Sequence, residues 1–303
     1  GAAEIANAPR LRAIANVGVG YNNLDIAALD AAGVVATNTP DVLTETTADL
    51  GFALLMAAAR RITESERWLR EGEWKQWSFS TMLGADIHGS TLGILGMGRI
   101  GQAIARRGHH GFGMKVLYHN RSRLPETVER QVGARYLGFE ELLAQADHLV
   151  LVLPYSAASH HIIDAAALAR MKPTATLVNV ARGGLVDELA LADALANGRL
   201  AAAGLDVYEG EPEVRTELLA LRNVVLTPHI GSASLATRRA MVQLAVDNLA
   251  AALGFGPNAG NPPTPVTAKK TTIATAGITG AGKTAAGSIT DIAGAGKTAA
   301  GKR

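Results

Sequence analysis

Short apolar runs alternate with polar or glycine-rich stretches along most of this 303-residue chain. Six runs of four to six residues predict buried strands at 91–95, 115–118, 148–153, 176–179, 202–206 and 224–227. Segments of helical composition lie between them, for example at 139–144, 164–169 and 187–196. This alternation of strands and helices predicts an α/β fold with a doubly wound parallel sheet.

The residues before this region predict a smaller unit. Residues 11–19 and 34–38 predict two strands, separated by a helix over 24–32 that Gly33 ends. One long helix is expected over 44–72, with Thr44 as its N-cap, as a link between two domains. A last helix over 233–253 is expected to pack on the first unit, because nothing apolar follows it.

From Asn258 onward the composition changes to Gly, Ala, Thr, Pro and Lys, with almost no large hydrophobic residues. Such a segment cannot bury a core, so residues 257–303 are predicted to be a low-complexity basic tail. A P-loop pattern at 277–284 is interpreted as a coincidence, because no buried strand precedes it and no stable helix follows. Six basic residues against one aspartate give this tail a net charge of +5, which leaves −3 for the rest of the chain.

Composition excludes several classes of protein. The content of 48% hydrophobic and 18% charged residues is typical of a globular protein, and the folded part is mildly acidic, so no nucleic-acid partner is expected. The longest uncharged apolar run, 50–59, is too short to cross a bilayer, and no secretory signal is evident. The chain has no cysteine, which excludes disulfides and thiolate metal sites. We therefore predict a cytoplasmic protein with no membrane partner and no metal site.

A glycine fingerprint follows the strand at 91–95. In Gly96-x-Gly98-x-x-Gly101, the first glycine allows a tight turn, the second lets a phosphate approach the backbone, and the third lets helix and strand pack closely. A pyrophosphate would then lie at the positive end of the helix that follows. A strand before the pattern, a helix after it and a second strand at 115–118 are the context that a dinucleotide site requires.

The turn after that second strand indicates which dinucleotide binds. Sites that prefer NAD place a carboxylate there for the ribose 2′-hydroxyl. This chain instead has Asn120-Arg121-Ser122-Arg123, in which two guanidinium groups and a hydroxyl suit a 2′-phosphate and no carboxylate repels it. The alternative interpretation is a solvated basic turn. We predict NADP(H) as the preferred cofactor, with NAD(H) as a possible one.

Three unusual polar residues stand where predicted strands end. Arg182, Glu211 and His229 follow the strands at 176–179, 202–206 and 224–227, and ligands of open α/β sheets bind beyond such ends. A guanidinium can grip a carboxylate and polarise a keto oxygen, and a histidine can donate a proton near neutral pH. A neighbouring carboxylate favours the imidazolium and fixes the tautomer. Each residue alone could be structural, but together they predict reduction of a 2-keto acid.

Segments 93–101, 179–187, 203–212 and 228–232 resemble the D-isomer-specific 2-hydroxyacid dehydrogenases. Within this family, residues 19–20, 39–46 and the turn at 120–123 are most similar to the glyoxylate/hydroxypyruvate and 2-ketogluconate reductases. The resemblance covers about residues 9–255. It implies a Rossmann-type cofactor domain, a flavodoxin-like substrate domain and a homodimer with the region 44–72 at its interface.

The resemblance also implies roles for single residues. Arg182 would bind and polarise the substrate, and Glu211 and His229 would form the acid–base dyad. Val19 and Gly20 would present backbone N–H groups to the substrate carboxylate. The residues expected to line the cofactor are Gly96, Gly98, Arg99, Ile100, Gly101, Asn120, Arg121, Ser122, Arg123, Pro154, Val180, Asp206, Gly231 and Ser232.

We expect a partial substrate domain with the linking helix at 1–77, the cofactor domain at 78–232 and a returning helix at 233–256. The family's substrate domain begins several strand–helix units earlier, so an open sheet edge is expected here. The first hypothesis for function is an NADPH-preferring reductase of small 2-keto acids. Two alternatives are a nucleotide-sensing scaffold resembling the C-terminal-binding corepressors and an inactive fragment of the enzyme.

Overall fold

A seven-stranded parallel sheet forms the centre of the computed structural model, which describes residues 1–268. Its strands lie in the order β5-β4-β3-β6-β7-β8-β9. Their bounds are β3 Thr91–Leu95, β4 Lys115–His119, β5 Ala134–Tyr136, β6 His148–Leu151, β7 Thr176–Asn179, β8 Ala202–Leu205 and β9 Val224–Leu226. The chain builds outward from β3 to β5 and then returns to place β6 beside β3, which creates the crevice where open α/β sheets bind ligands. The predicted doubly wound sheet is confirmed.

Helices cover both faces of this sheet, and two apolar clusters fill the spaces between. The helices of this region are α5 Arg99–Arg106, α6 Glu126–Val132, α7 Phe139–Gln145, α8 Ala165–Arg170, α9 Glu188–Ala196 and α10 Thr216–Leu219. The sequence pattern missed the edge strand β5 and the helices α6 and α10. These elements are short and only partly apolar, so their periodicity is weak.

The residues before the large sheet form a second, smaller sheet. It consists of the parallel strands β1, Ala13–Ala15, and β2, Val35–Thr37, after a short helix α1, Ala2–Ala6. Between the strands lies α2, Ile26–Ala32, which ends at Gly33 in the left-handed conformation (φ 69°), as predicted. No strand in the described part of the chain pairs with the outer edge of β1, so the expected open edge is present.

The other edge of the small sheet is covered by residues that the sequence assigned to the tail. The amide of Val266 donates to the carbonyl of Ala36 (2.8 Å), and that of Asn38 donates to the carbonyl of Thr264 (3.2 Å). Val266 also packs against the small sheet's apolar cluster. The sequence predicts that the segment from residue 257 cannot bury a core, but residues 264–268 still cover the edge of β2 through backbone pairing and the apolar Val266. Residues 269–303, which include the P-loop match, lie outside the described residues.

The predicted long helix over 44–72 is in fact two helices. Helix α3 spans Thr44–Ala59 and α4 spans Ile62–Arg70. Arg61 between them has a left-handed backbone (φ 54°), which stops the first helix. Leu43 rather than Thr44 is the N-cap residue of α3.

Helix α3 joins the two sheets, because it starts from the small sheet and is buried against the large one. Leu54 and Leu55 of this helix are fully buried. Close approach depends on two glycines: a Cβ at Gly51 would lie 3.1 Å from Ile104, and one at Gly204 would lie 3.0 Å from Leu54 Cβ. The position of α3 on the large sheet thereby limits where the small sheet, which directly precedes α3 in the chain, can lie.

The last helix, α11, spans Leu235–Ala252 and returns to the small sheet as predicted. Its buried Asn248 donates to the carbonyl of Asn38 (3.3 Å) and to Thr264 Oγ1 (2.8 Å). Thr46 of α3 and Thr237 of α11 share a hydrogen bond of 2.5 Å between their hydroxyls. Among the described residues, no helix has the length and apolar character needed to cross a membrane.

One buried histidine has an incomplete set of partners. His148, the first residue of β6, is fully buried; its Nε2 lies 3.3 Å from the Asp86 carbonyl oxygen and its Nδ1 has no partner. Burial lowers the pKa of His148, and the Asp86 carbonyl and the Asp147 carboxylate only partly oppose this shift. A histidine with a lower pKa in the folded than in the unfolded chain favours folding above its unfolded pKa, and this contribution is lost as the pH falls.

We therefore expect the free energy of unfolding to fall as the pH drops below about 6.5, the ordinary pKa of histidine. Replacing His148 by leucine removes the titrating group, so His148→Leu should lose less stability on acidification than the parent protein. Denaturant unfolding across a series of pH values measures this difference. The matched change His110→Leu, at an exposed position, should keep the parent's pH dependence; the same dependence in His148→Leu would contradict the assignment.

Candidate active site

Three loops at the carboxyl edge of the large sheet carry the predicted catalytic residues. Arg182 follows β7, Glu211 follows β8 and His229 follows β9. Because β7, β8 and β9 are parallel neighbours, their following loops leave the sheet at the same edge. The sheet itself therefore brings together residues that are far apart in the sequence.

His229 and Glu211 form a direct pair. His229 Nδ1 lies 2.7 Å from Glu211 Oε2. The other oxygen of Glu211 accepts a hydrogen bond from the backbone amide of Tyr208 (2.9 Å), so the carboxylate is fixed. A carboxylate only accepts hydrogen bonds, so the proton between the two residues belongs on Nδ1. Nε2 of the half-exposed imidazole is then the atom left to exchange a proton with a substrate.

The loop that carries His229 is held by the buried Asp206. One carboxylate oxygen of Asp206 accepts from Thr227 Oγ1 (2.6 Å) and from the amide of Ile230 (2.8 Å), and the other accepts from the amide of Gly231 (2.7 Å). His229 itself has a positive φ of 52°. A non-glycine residue holds this conformation only where its surroundings fix the backbone. Asp206 is thus an anchor of the His229 loop.

Arg182 reaches from the large sheet to the small one. Its Nε donates to Asn22 Oδ1 (3.0 Å), and its Nη1 donates to the carbonyl of Ala181 (2.6 Å). Its Nη2 lies against Gly20, where an added Cβ would be only 2.0 Å away. Burial lowers the pKa of Arg182, an effect that the negative charge of Glu211 opposes. A guanidinium in this setting, to which no carboxylate of residues 1–268 is bonded, is well suited to an anionic ligand.

The loop of Val19 and Gly20 is fixed through its carbonyl groups. Asn38 donates to the carbonyl of Val19 (2.9 Å), and Asn16 donates to the carbonyl of Gly20 (2.9 Å). In the described part of the chain, the amides of Val19 and Gly20 donate no hydrogen bond. Two free N–H donors in a fixed loop beside Arg182 fit a carboxylate ligand.

The glycine loop has the features that a bound pyrophosphate requires. Gly96 has a φ of 102°, and a Cβ there would lie 2.6 Å from the amide nitrogen of Leu153; at Gly101 it would lie 2.3 Å from the Gly96 carbonyl oxygen. A Cβ at Gly98 would meet nothing within 4 Å, and no side chain caps α5. The first amides of that helix are therefore open on the side from which an anion would approach.

Asn120 ties the next turn to this loop, because its Oδ1 accepts from the amide of Met97 (2.7 Å). Arg121 and Ser122 are exposed, and neither has a hydrogen bond or ion pair in the described part of the chain. Arg123 is occupied: its Nε and Nη2 lie 2.9 and 2.7 Å from the two oxygens of Glu129. The two arginines of the turn therefore differ in their surroundings.

Glu129 is a buried carboxylate that holds Arg123. The hydrogen bonds from Arg123 lower the pKa of Glu129, which therefore stays ionised. Tyr118 also donates to Glu129 (2.7 Å) and accepts from the amide of Leu124 (2.8 Å). Burial and the bond to Glu129 raise the pKa of Tyr118 to about 12. Nothing in the sequence pattern singles out Glu129, because its role depends on the fold of α6 over β4.

The remaining predicted cofactor residues lie at the start of α5 or in loops that follow strands of the large sheet. Arg99, at the start of α5, forms an ion pair with Asp41 (2.6 Å), which has a left-handed backbone (φ 69°). Ile100 packs against the cluster that contains α3. Pro154 and Val180 follow β6 and β7, and Gly231 and Ser232 follow the loop of His229.

Comparison with protein families gives one family for this region. Residues 52–231 match the family described as D-isomer specific 2-hydroxyacid dehydrogenase, NAD binding domain. The glyoxylate reductase of Thermococcus onnurineus (strain NA1) is 51% identical over 248 residues, which are 80% of this chain and 74% of the relative. The glyoxylate/hydroxypyruvate reductase B of Erwinia tasmaniensis is 50% identical over 250 residues, 82% of this chain and 78% of the relative.

A solved structure agrees with these relatives. The NADPH-dependent glyoxylate/hydroxypyruvate reductase from Sinorhizobium meliloti, in complex with NADP and malonate, is 42% identical, with a TM-score of 0.77 over 85% of this chain and 78% of the other. All three proteins are named as reductases, which favours an enzyme over the corepressor-like scaffold. Because residues 52–231 match the NAD binding domain of the family and the relatives are about 50% identical, this chain belongs to the D-isomer specific 2-hydroxyacid dehydrogenase family and is an oxidoreductase of that family.

Proposed function

We propose that this enzyme reduces small 2-keto acids, such as glyoxylate, hydroxypyruvate and 2-ketogluconate, to D-2-hydroxy acids, with NADPH as its preferred reductant. The observation that carries the proposal is the His229–Glu211 pair, 2.7 Å between Nδ1 and Oε2, at the same sheet edge as Arg182. The named activities of the Thermococcus, Erwinia and Sinorhizobium relatives support the first two substrates. The third rests on the resemblance of the sequence motifs.

Arg182, Val19 and Gly20 bind the substrate in this proposal. The two loop amides donate hydrogen bonds to the substrate carboxylate, and the guanidinium of Arg182 interacts with the carboxylate and the keto oxygen. Its contacts with Asn22 and Gly20 fix Arg182 before a substrate arrives, so little order has to be gained on binding. A fixed positive charge beside the keto oxygen stabilises the negative charge that develops there during reduction.

His229 supplies the proton. With Nδ1–H held by Glu211, the protonated imidazole donates from Nε2 to the keto oxygen, and Glu211 stabilises the positive charge on the ring before transfer. The bound dinucleotide supplies the hydride for the keto carbon. Asp206 is a positioning residue, because it fixes the backbone of the loop from which His229 projects. Oxidation of the hydroxy acid uses the same groups in reverse.

The glycine loop and its surroundings hold the cofactor. Gly96, Gly98 and Gly101 let the pyrophosphate reach the amides that begin α5, and Arg99 and Ile100 flank it. Pro154, Val180, Asp206, Gly231 and Ser232 line the side toward the substrate. Arg121 and Ser122 bind the 2′-phosphate, with Asn120 fixing the turn. Arg123 contributes mainly by shaping the turn, because Glu129 already occupies two of its donors.

We further propose a homodimer built from two domains per chain, with divisions at 1–77, 78–232 and 233–256. Helix α3 is largely buried within the protomer, whereas the segment after it exposes an apolar surface. Trp77 is 74% exposed and Phe79 is 89% exposed. A monomer rarely leaves several large apolar side chains exposed on one segment. The proposed interface is therefore 62–83 rather than the whole of 44–72.

The first test measures reductase activity with and without the proposed proton donor, His229. The chain should consume NADPH at neutral pH with glyoxylate, hydroxypyruvate or 2-ketogluconate, and His229→Ala should lower kcat by about 100- to 10,000-fold. NADPH binding, measured by nucleotide fluorescence, should stay close to that of the parent. Loss of both activity and binding would make His229 structural. A parent that melts cooperatively but turns over none of the three acids would contradict the proposal.

The second test separates the two arginines of the turn. Arg121→Ala should weaken NADPH binding by about 10- to 100-fold and leave NADH binding nearly unchanged, because only NADPH has the 2′-phosphate. Arg123→Ala is the matched control, and it should affect both cofactors alike through the shape of the turn. Dissociation constants for both nucleotides decide this. An equal loss of NADH and NADPH affinity in Arg121→Ala would rule out the 2′-phosphate contact.

The third test concerns the dimer. The double variant Trp77→Ser, Phe79→Ser should be a monomer at concentrations where the parent is a dimer, because it removes two exposed aromatic anchors. Sedimentation velocity measures the mass of each. Leu235→Ser, at another exposed apolar position (69%), should leave the dimer intact. A monomeric parent, or a double variant that stays dimeric, would show that this surface is not the interface.

A further inference from the structure

A group of metal-binding side chains lies beside the catalytic loops and has no part in the proposed reaction. His160, His161 and Glu209 each offer a ligand atom, and these atoms lie within 4.8 Å of one another. His161 Nε2 is 3.0 Å from Glu209 Oε1. The two imidazole rings are stacked, with 3.8 Å between their centroids.

The backbone on both sides of this group is anchored. His161 has a left-handed backbone (φ 50°), and its amide donates to the carbonyl of Gly184 (2.8 Å). The amide of Glu209 donates to the buried carboxylate of Glu188 (2.7 Å). The side chains therefore converge from two fixed loops, the one after β6 and the one after β8.

The neighbours of the group leave its ligand atoms available. The hydroxyl of Tyr155 lies 3.1 Å from His160 Nδ1, which leaves Nε2 of that ring for another partner. Arg215 lies 3.6 Å from Glu209 Oε2 and leaves Oε1 on the side of the histidines. A hydrogen bond to the second ring nitrogen is the usual way in which a metal-binding histidine is oriented.

We propose that His160, His161 and Glu209 bind one divalent transition-metal ion of the Zn²⁺ type. Two imidazole nitrogens and one carboxylate oxygen are a ligand set that suits Zn²⁺, Ni²⁺ or Cu²⁺, whereas Ca²⁺ and Mg²⁺ prefer oxygen ligands only. In a tetrahedral zinc site the ligand atoms are about 3.4 Å apart, and each imidazole nitrogen binds the ion in its ring plane. The two stacked rings therefore rotate out of their stacked arrangement, and the three side chains close around the ion on binding. Water completes the coordination, because all three side chains are reached by solvent.

The site would connect two loops that border the active site. Gly184, which holds the backbone of His161, stands two residues after Arg182, and Glu209 stands two residues before Glu211. A bound ion therefore cross-links the loop after β6 to the loop that carries the dyad carboxylate. Because it binds the folded chain only, it also stabilises the fold.

The chain offers a matched control for this site. His109 and His110 are also adjacent in sequence, but their rings are edge to face with 4.7 Å between centroids. Among the described residues, no carboxylate joins them in a group that could hold a metal ion. Residues 269–303 contain no histidine or cysteine, so they offer no competing nitrogen or sulfur ligand.

Isothermal titration of the full, untagged chain with ZnCl₂ tests the proposal, together with the thermal midpoint in the presence of zinc. We expect one Zn²⁺ per chain and a rise in the midpoint. His161→Gln and Glu209→Gln should each weaken zinc binding at least about 10-fold and reduce the rise. The double variant His109→Gln, His110→Gln should bind zinc as the parent does.

Two outcomes would overturn the proposal. One is a parent that takes up no zinc. The other is normal zinc binding by both His161→Gln and Glu209→Gln, for instance because zinc occupies the His229–Glu211 pair instead, which His229→Gln would reveal. Thermal melting without zinc checks that each variant folds. If His161→Gln does not fold, Glu209→Gln alone still tests the site. Since the readout is binding, the result does not depend on which keto acid is the substrate.

Discussion

The packing of helix α3 against the large sheet is the constraint on which the candidate site depends. This helix starts where the small sheet ends and lies on β7 and β8, with glycines at 51 and 204 allowing close approach. Burial of a leucine such as Leu54 or Leu55 contributes about 1.5 to 3 kcal/mol. Because α3 is fixed in this way, the loop of Gly20 comes to lie against Arg182, and the substrate-binding groups of both sheets meet.

Hydrogen bonding then converts this approximate placement into a defined one. Asn16 and Asn38 fix the carbonyls of the Gly20 loop, Asp206 fixes the loop of His229, and Glu211 is held by the amide of Tyr208. Each of these side chains bonds to a backbone group, in its own loop for Asn16 and Glu211 and in a different loop for Asn38 and Asp206. Fixed donors and charges need little reorganisation during a reaction, which is the main source of electrostatic catalysis. Among the described residues, the amides of Val19 and Gly20 donate no hydrogen bond, and in our proposal they bind the substrate.

The sequence could predict the parts whose signal is local. Apolar runs gave the six main strands of the large sheet, and the glycine pattern gave the turn before α5, because both depend on neighbours along the chain. The break at Arg61 was missed, since the apolar spacing continues through it and only the left-handed backbone reveals it. The pairing of 264–268 with β2 was missed because it is made by backbone groups, whatever the side chains are. The pairing of Arg123 with Glu129, six residues further on, depends on where α6 packs, so the apolar pattern gives no sign of it.

The same limit explains why a basic turn alone does not define cofactor preference. Arg121 and Arg123 are equivalent in the sequence, and the buried carboxylate of Glu129 makes them different. Glu129 stays ionised because Arg123 lowers its pKa, and a buried carboxylate without that partner would be strongly disfavoured. Arg123 therefore stabilises the fold of the turn, and Arg121, which has no hydrogen bond or ion pair among the described residues, is the residue that we propose for the 2′-phosphate. A relative that kept both arginines but lost the carboxylate would have a differently shaped turn, so the proposed preference for NADPH would depend on the group of three residues and not on the number of positive charges.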